Sequence, residues 1–96
     1  MQKADILNTL ALHKNTLKEK FEIDKIGLFG SYARDEATAN SDIDICIQTE
    51  HTDLFTLVHL KETLKKFFHT NIDIVRVRDT MNPYLKKRIE KEAIYV

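Results

Sequence analysis

Ninety-six residues leave room for one domain, expected to span residues 1–96, near the lower end of the range in which a single core stabilises a chain. Hydrophobic residues at 43% and charged residues at 31%, with two Gly and one Pro, exclude a disordered, collagen-like or linker-rich chain. Lys plus Arg equals Asp plus Glu at 15 each, which excludes a global electrostatic pull toward nucleic acid or an anionic membrane. Any anionic ligand must be held by local charge.

From Lys3 to Phe21, the apolar residues Ile6, Leu7, Leu10, Leu17 and Phe21 recur at helical spacing and predict an amphipathic helix. Lys25-Ile26-Gly27-Leu28-Phe29 is short and apolar and runs into Gly30-Ser31, so it reads as a buried strand stopped by a turn. Ser41 to Gln48 alternates with period two, which predicts a strand with Ile43, Ile45 and Ile47 on the core side. Asp53 is the expected N-cap of a second long helix with Leu54, Leu57, Val58, Leu64, Phe67 and Phe68 as its apolar stripe, ending near His69-Thr70-Asn71. Ile72 to Val77 is rich in β-branched residues and reads as a third strand. Asn82-Pro83 opens a last helix carrying Tyr84, Leu85, Ile89 and Ala93, and Ile94-Tyr95-Val96 adds a short extended piece. The order is that of an α/β (α+β) unit, a small sheet flanked by helices.

The lone Cys46 cannot form an intramolecular disulfide, and no apolar run reaches the roughly 20 residues that span a bilayer. The mixed polar and apolar N-terminus is unlike a signal peptide, so the expected location is the cytoplasm, without membrane contact.

Three carboxylates stand where strands disfavour them: Asp42 and Asp44 on the second strand, Asp73 on the third. Residues two apart on a strand share a face, about 6 to 7 Å apart at Cα, so Asp42 and Asp44 can lean onto one hard cation, and Asp73 on a neighbouring strand can close the site. Clustered carboxylates repel unless a divalent ion neutralises them, which points to Mg²⁺ or Mn²⁺. Upstream, Gly30-Ser31 leaves a buried strand with a residue that lets backbone amides and a hydroxyl approach a phosphate.

The stretch from Gly30-Ser31-Tyr32-Ala33-Arg34 to Ser41-Asp42-Ile43-Asp44-Ile45 resembles the GSYARGEA…SDIDL signature of the DNA polymerase β-like nucleotidyltransferases, with ten residues between Ser31 and Asp42. Within that group, Asp73 in an Ile-Asp-Ile-Val context and the ending from Asn82-Pro83-Tyr84-Leu85 to Glu92-Ala93 are similar to the minimal nucleotidyltransferases, the MNT or MntA-type proteins. The resemblance implies a polymerase β-like fold with a mixed sheet. It implies that Asp42, Asp44 and Asp73 ligate the metal ions, with Asp73 as general base, and that Gly30 and Ser31 hold the nucleotide phosphates. Arg34 would touch the triphosphate or a partner surface. Asp35 stands where many relatives carry Gly, so the turn after Arg34 is expected to change and to bring an extra negative charge near the site.

The implied reaction moves AMP from ATP to a hydroxyl. The implied partner is a HEPN-family RNase toxin, modified on a tyrosine by an antitoxin. Two alternatives stand beside it: a nucleotide-binding antitoxin that neutralises by binding alone, and a small-molecule transferase of the aminoglycoside type. An exposed apolar face of the first or last helix is the expected partner contact. The histidines His13, His51, His59 and His69 lie far apart and are expected at the surface, and Cys46 is expected to be a packed residue. Arg76 and Arg78 are expected to be solvated, and Lys86-Lys87-Arg88 a small balanced patch with no nucleic-acid role.

Overall fold

The computed structural model describes residues 1–51 and 53–96. The elements are α1 (Lys3–Phe21), β1 (Lys25–Phe29), α2 (Gly30–Ala33), β2 (Ile43–Gln48), α3 (Leu54–Phe68), β3 (Ile72–Arg76), α4 (Pro83–Glu92) and β4 (Ile94–Tyr95). The four strands form one mixed sheet in the order β3-β2-β1-β4. β1 pairs antiparallel with both β2 and β4, whereas β2 and β3 run parallel, with α3 as the crossover that parallel neighbours require.

Local chemistry sets the element ends. Asp53 caps α3 by accepting from the Phe55 N–H at 2.9 Å, and Asn82 caps α4 by accepting from the N–H groups of Tyr84 and Leu85, with Pro83 in the first turn. Glu22 and His69 end α1 and α3 in left-handed conformations. β2 begins at Ile43, so Asp42 lies just before the strand rather than on it.

Strand alternation separates two chemistries. Ile26, Leu28, Ile43, Ile45, Ile47 and Ile72 are fully buried and pack with Ile6, Leu10 and Leu17 of α1 and Leu60, Leu64 and Phe68 of α3. On the opposite parity Phe29 and Cys46 pack with Ile89 of α4 in a second, smaller cluster. That parity also holds Asp44 and Asp73. Gly27 lies on it too, where a Cβ would come within 2.9 Å of the Ile94 carbonyl oxygen, so a glycine lets β4 lie close against β1.

Cys46 is buried, as its strand position implies, and His51, His59 and His69 are exposed. His13 departs from the surface expectation: it is half-buried and stacks on Phe67, with ring centroids 4.4 Å apart, joining α1 to α3. Arg76 also departs from a solvated role, since its Nε donates to the Thr49 carbonyl at 2.9 Å. The exposed large apolar residues cluster at the start of α3, as Leu54, Phe55 and Val58, whereas α1 and α4 show Leu12 and Tyr84. No helix among the described residues is long and apolar enough to cross a membrane.

Ile45→Ala is expected to cost about 2–5 kcal/mol in urea denaturation because it opens a cavity at the centre of the sheet. Leu12→Ala, at a side chain 80% exposed, is expected to stay within about 0.5 kcal/mol of wild type.

Candidate active site

The site forms where β1 ends against β2. Phe29 is the register partner of Asp44 on one side, and Asp73 is its partner on the other. Immediately after Phe29, the chain turns at Gly30 with φ +78°, a conformation that favours glycine. A Cβ at Gly30 would run into the Asp44 carboxylate, with its Cγ only 2.8 Å away. The missing side chain at Gly30 is therefore the space that the Asp44 carboxylate occupies.

The three carboxylates differ in environment. Asp44 is half-buried, and Asp42 and Asp73 are exposed. Burial pushes the Asp44 carboxyl above its ordinary range, and the negative charges of Asp73 and then Asp42 push the same way, against Arg88 and Arg34, which favour the ionised form. Asp44 therefore sits in a local excess of negative charge.

The close cluster expected of Asp42, Asp44 and Asp73 is not assembled. Among the described residues, no three Asp, Glu, His or Cys side chains are placed together as a metal-ligand set. The donor chemistry nevertheless fits a hard divalent cation. The donors are all oxygen, two of them lie opposite each other on paired strands, and the excess negative charge around Asp44 is what such an ion neutralises.

Ser31 is half-buried on α2, and its carbonyl accepts from the Glu36 N–H at 2.9 Å, closing the turn. Arg34 follows α2 and is held on two edges. Its Nε donates to Glu36 at 3.0 Å, and its Nη1 donates to both oxygens of Glu92, at 3.0 and 3.1 Å. Asp35 adopts φ +59°, a left-handed conformation that Asp tolerates better than most residues. Its carboxylate pairs with Lys3 on α1 at 2.9 Å, which partly balances the added charge.

Glu92 and Arg88 were not among the sequence-derived site residues. Their i,i+4 spacing on one helix predicts an ion pair between them and nothing more, since the contacts of Glu92 with Gly30 and Arg34 span 62 and 58 residues. Beside Asp73 lies a groove of about 270 Å³ lined by Leu54, Leu57, Val58, Lys61 and Ile74.

The mixed sheet thus sets Asp44 against the Gly30 turn and opposite Asp73 on the adjoining strand. Residues 13–96 match the Polymerase beta, Nucleotidyltransferase family, and the chain belongs to that family. A Methanocaldococcus jannaschii protein provisionally named a protein adenylyltransferase is 40% identical, over 97% of this chain and 96% of its own. The protein adenylyltransferase MntA of Thermococcus cleftensis is 33% identical, over 96% of this chain and 93% of its own. Among solved structures, one provisionally described as a minimal nucleotidyltransferase is 27% identical, with a TM-score of 0.78 over 98% of this chain and 95% of that one. A chain from the complex of MNT antitoxin with tri-AMPylated Shewanella oneidensis HEPN toxin shares the fold, with a TM-score of 0.66 at 20% identity over 99% of this chain and 71% of that one. The polymerase β-like fold expected from the signature is the fold observed.

Folding raises the pKa of Asp44, so the folded state keeps a proton that the unfolded chain has released, and stability falls as pH climbs from the ordinary carboxylate range through the raised value. With chelator present, Asp44→Asn is therefore expected to raise the melting temperature at pH 7. The gain should close below the ordinary Asp pKa, where the carboxyl is neutral in both states; an equal gain at all pH values would contradict the charge origin. Gly30→Ala is expected to cost about 1–3 kcal/mol through backbone strain and the clash with Asp44. An Asp44→Ala background should return part of that loss in a denaturation series.

Proposed function

We propose that the chain transfers AMP from ATP to a tyrosine hydroxyl of a partner HEPN-family RNase toxin, and so acts as the antitoxin of a toxin–antitoxin pair. The observation that carries this reading is the contact of Gly30 with the Asp44 carboxylate, with Asp73 directly opposite in the register. It puts the Gly-Ser turn, suited to phosphates, against the carboxylates suited to the reacting centre. The names of the two archaeal relatives support protein as the acceptor, and the AMPylated HEPN toxin in the fold neighbour supports the kind of partner.

In this mechanism the Gly30–Ser31 turn holds the β- and γ-phosphates through the Ser31 backbone amide and hydroxyl, Gly30 giving the turn its close approach, and Arg34 offers a guanidinium donor beside them. Asp73 accepts the proton of the acceptor hydroxyl, whose oxygen forms a bond to the α-phosphorus while the bond to the departing pyrophosphate breaks. Asp42, Asp44 and Asp73 would hold Mg²⁺ or Mn²⁺, which when bound neutralises charge on the α-phosphate and on the leaving pyrophosphate. Asp73 is exposed on the edge strand β3, so an acceptor carried by a second protein reaches it from solvent. The groove beside it, with apolar Leu54, Leu57 and Val58 and the cationic Lys61, supports a polypeptide acceptor. The reducing cytoplasm, with no part for membrane or nucleic acid, completes the reading.

Intact-mass spectrometry of the co-expressed toxin, incubated with this protein, Mg²⁺ and each nucleoside triphosphate in turn, tests it. The expected result is a gain of one or more AMP units on a tyrosine with ATP, abolished in Asp42→Asn/Asp44→Asn. A stable complex with no mass gain from any nucleotide, and full protection by the double variant, would replace transfer by neutralisation through binding.

A further inference from the structure

Glu92 is the last residue of α4, and its side chain is only 13% exposed. Its carboxylate accepts from the Gly30 backbone N–H at 3.2 Å and from Arg34 Nη1 at 3.0 and 3.1 Å, and Arg88 Nε lies 3.7 Å away. One acid thus joins α4 to both parts of the Gly-Ser-x-x-Arg stretch, across 58 and 62 residues of chain. A sheltered carboxylate with that many donors is a charge-assisted anchor rather than a surface ion pair.

The anchor point is itself fixed. The Ala93 N–H donates to the Ile89 carbonyl, and the next residue, Ile94, pairs in register with Leu28, two residues before Gly30. Glu92 therefore cannot drift relative to the turn without opening β4 from β1. Arg34 is gripped through Nε by Glu36 and through Nη1 by Glu92, while its Nη2 makes no hydrogen bond among the described residues. A guanidinium held at two edges with the third open is prepared to meet an incoming anion in one orientation, because its rotamer freedom has been lost in advance.

We infer that Glu92 is a positioning residue for the nucleotide site, fixing Arg34 and the Gly30 turn in the arrangement that receives the triphosphate. The inference rests on the proposed nucleotide site and deepens it. Glu92 itself touches neither nucleotide nor acceptor. A residue acting in this way affects phosphate binding through Arg34, whereas a simple staple between α4 and α2 affects stability alone.

Calorimetric titration of the isolated chain with a non-hydrolysable ATP analogue and Mg²⁺ separates these roles, alongside a melting curve for each variant. Glu92→Ala and Arg34→Ala are each expected to weaken binding about tenfold or more, and the double variant to be no weaker than the worse single one, the non-additivity of two residues in one unit. Glu92→Gln, which keeps an acceptor for the Gly30 N–H, is expected to recover part of the affinity. A lowered melting temperature with unchanged affinity would overturn the inference, as would additive losses in the double variant. Tighter binding by Glu92→Ala would also overturn it, since the carboxylate would then be a competitor for the phosphate donors. Wild-type binding without transfer to the toxin would remove the acceptor assignment and leave the inference intact; absence of wild-type binding would remove both the nucleotide site and the role of Glu92.

Discussion

The site depends on one absent atom. Gly30 has no Cβ, and the Asp44 carboxylate fills the space a Cβ would need. The left-handed turn and the carboxylate contact impose the same requirement on one residue, so the position is constrained twice, once by backbone conformation and once by close approach. The turn is thereby pinned to the middle strand of the sheet, the part of the fold with neighbours on both sides. Everything downstream inherits that rigidity, including α2, the Arg34 side chain and the link to α4.

The sheet supplies a second constraint, the division of its faces. Ile43, Ile45 and Ile47 anchor β2 from below, fully buried against α1 and α3, and hold Asp44 on the upper face at a depth where its charge is disfavoured. A one-residue slip would exchange the isoleucines for Asp44, Cys46 and Gln48, so the core that stabilises the strand also fixes the face on which Asp44 lies. α4 covers the upper face only over Phe29 and Cys46, through Ile89. Asp44 beyond that contact is half-buried, and the adjoining Asp73 is exposed. The local excess of negative charge around Asp44 is a cost of folding that the large lower cluster offsets.

Much of this was legible because it is local. The period-two isoleucines, the Asp53 cap and the Asn82-Pro83 helix start are each written within a few residues, and each takes its expected place, whereas Asp42 falls just before the strand on which it was expected. The pairing of Asp44 with Asp73 followed from two strands joined by one crossover helix. Glu92 was illegible as a site residue because its partners lie 58 and 62 positions earlier, and nothing in an acidic residue at a helix end identifies them. His13 escaped for the same reason: the stack on Phe67 exists only once α1 and α3 are packed. The Asp35 charge, read as an addition near the site, is directed to Lys3 on α1, a partner 32 residues away that no local pattern names.

The arrangement of strands explains how a chain this small can hold a reaction centre without enclosing it. β1 and β2 occupy the middle of the sheet and carry the turn and Asp44, so these groups are rigid. β3 is the edge, and it carries the exposed Asp73, which shares a groove with the exposed Leu54 and Val58 at the start of α3. For the proposed transfer the phosphate-side groups are thus fixed from within by the fold, and Asp73, facing the acceptor, lies on a border that a second macromolecule can complete. In the proposed reaction the division is functional: this chain supplies orientation and charge, and the partner supplies the wall of the pocket together with the hydroxyl. Specificity for the acceptor then resides in an interface rather than a cavity, where a few apolar anchors decide which polypeptide can present a hydroxyl to Asp73.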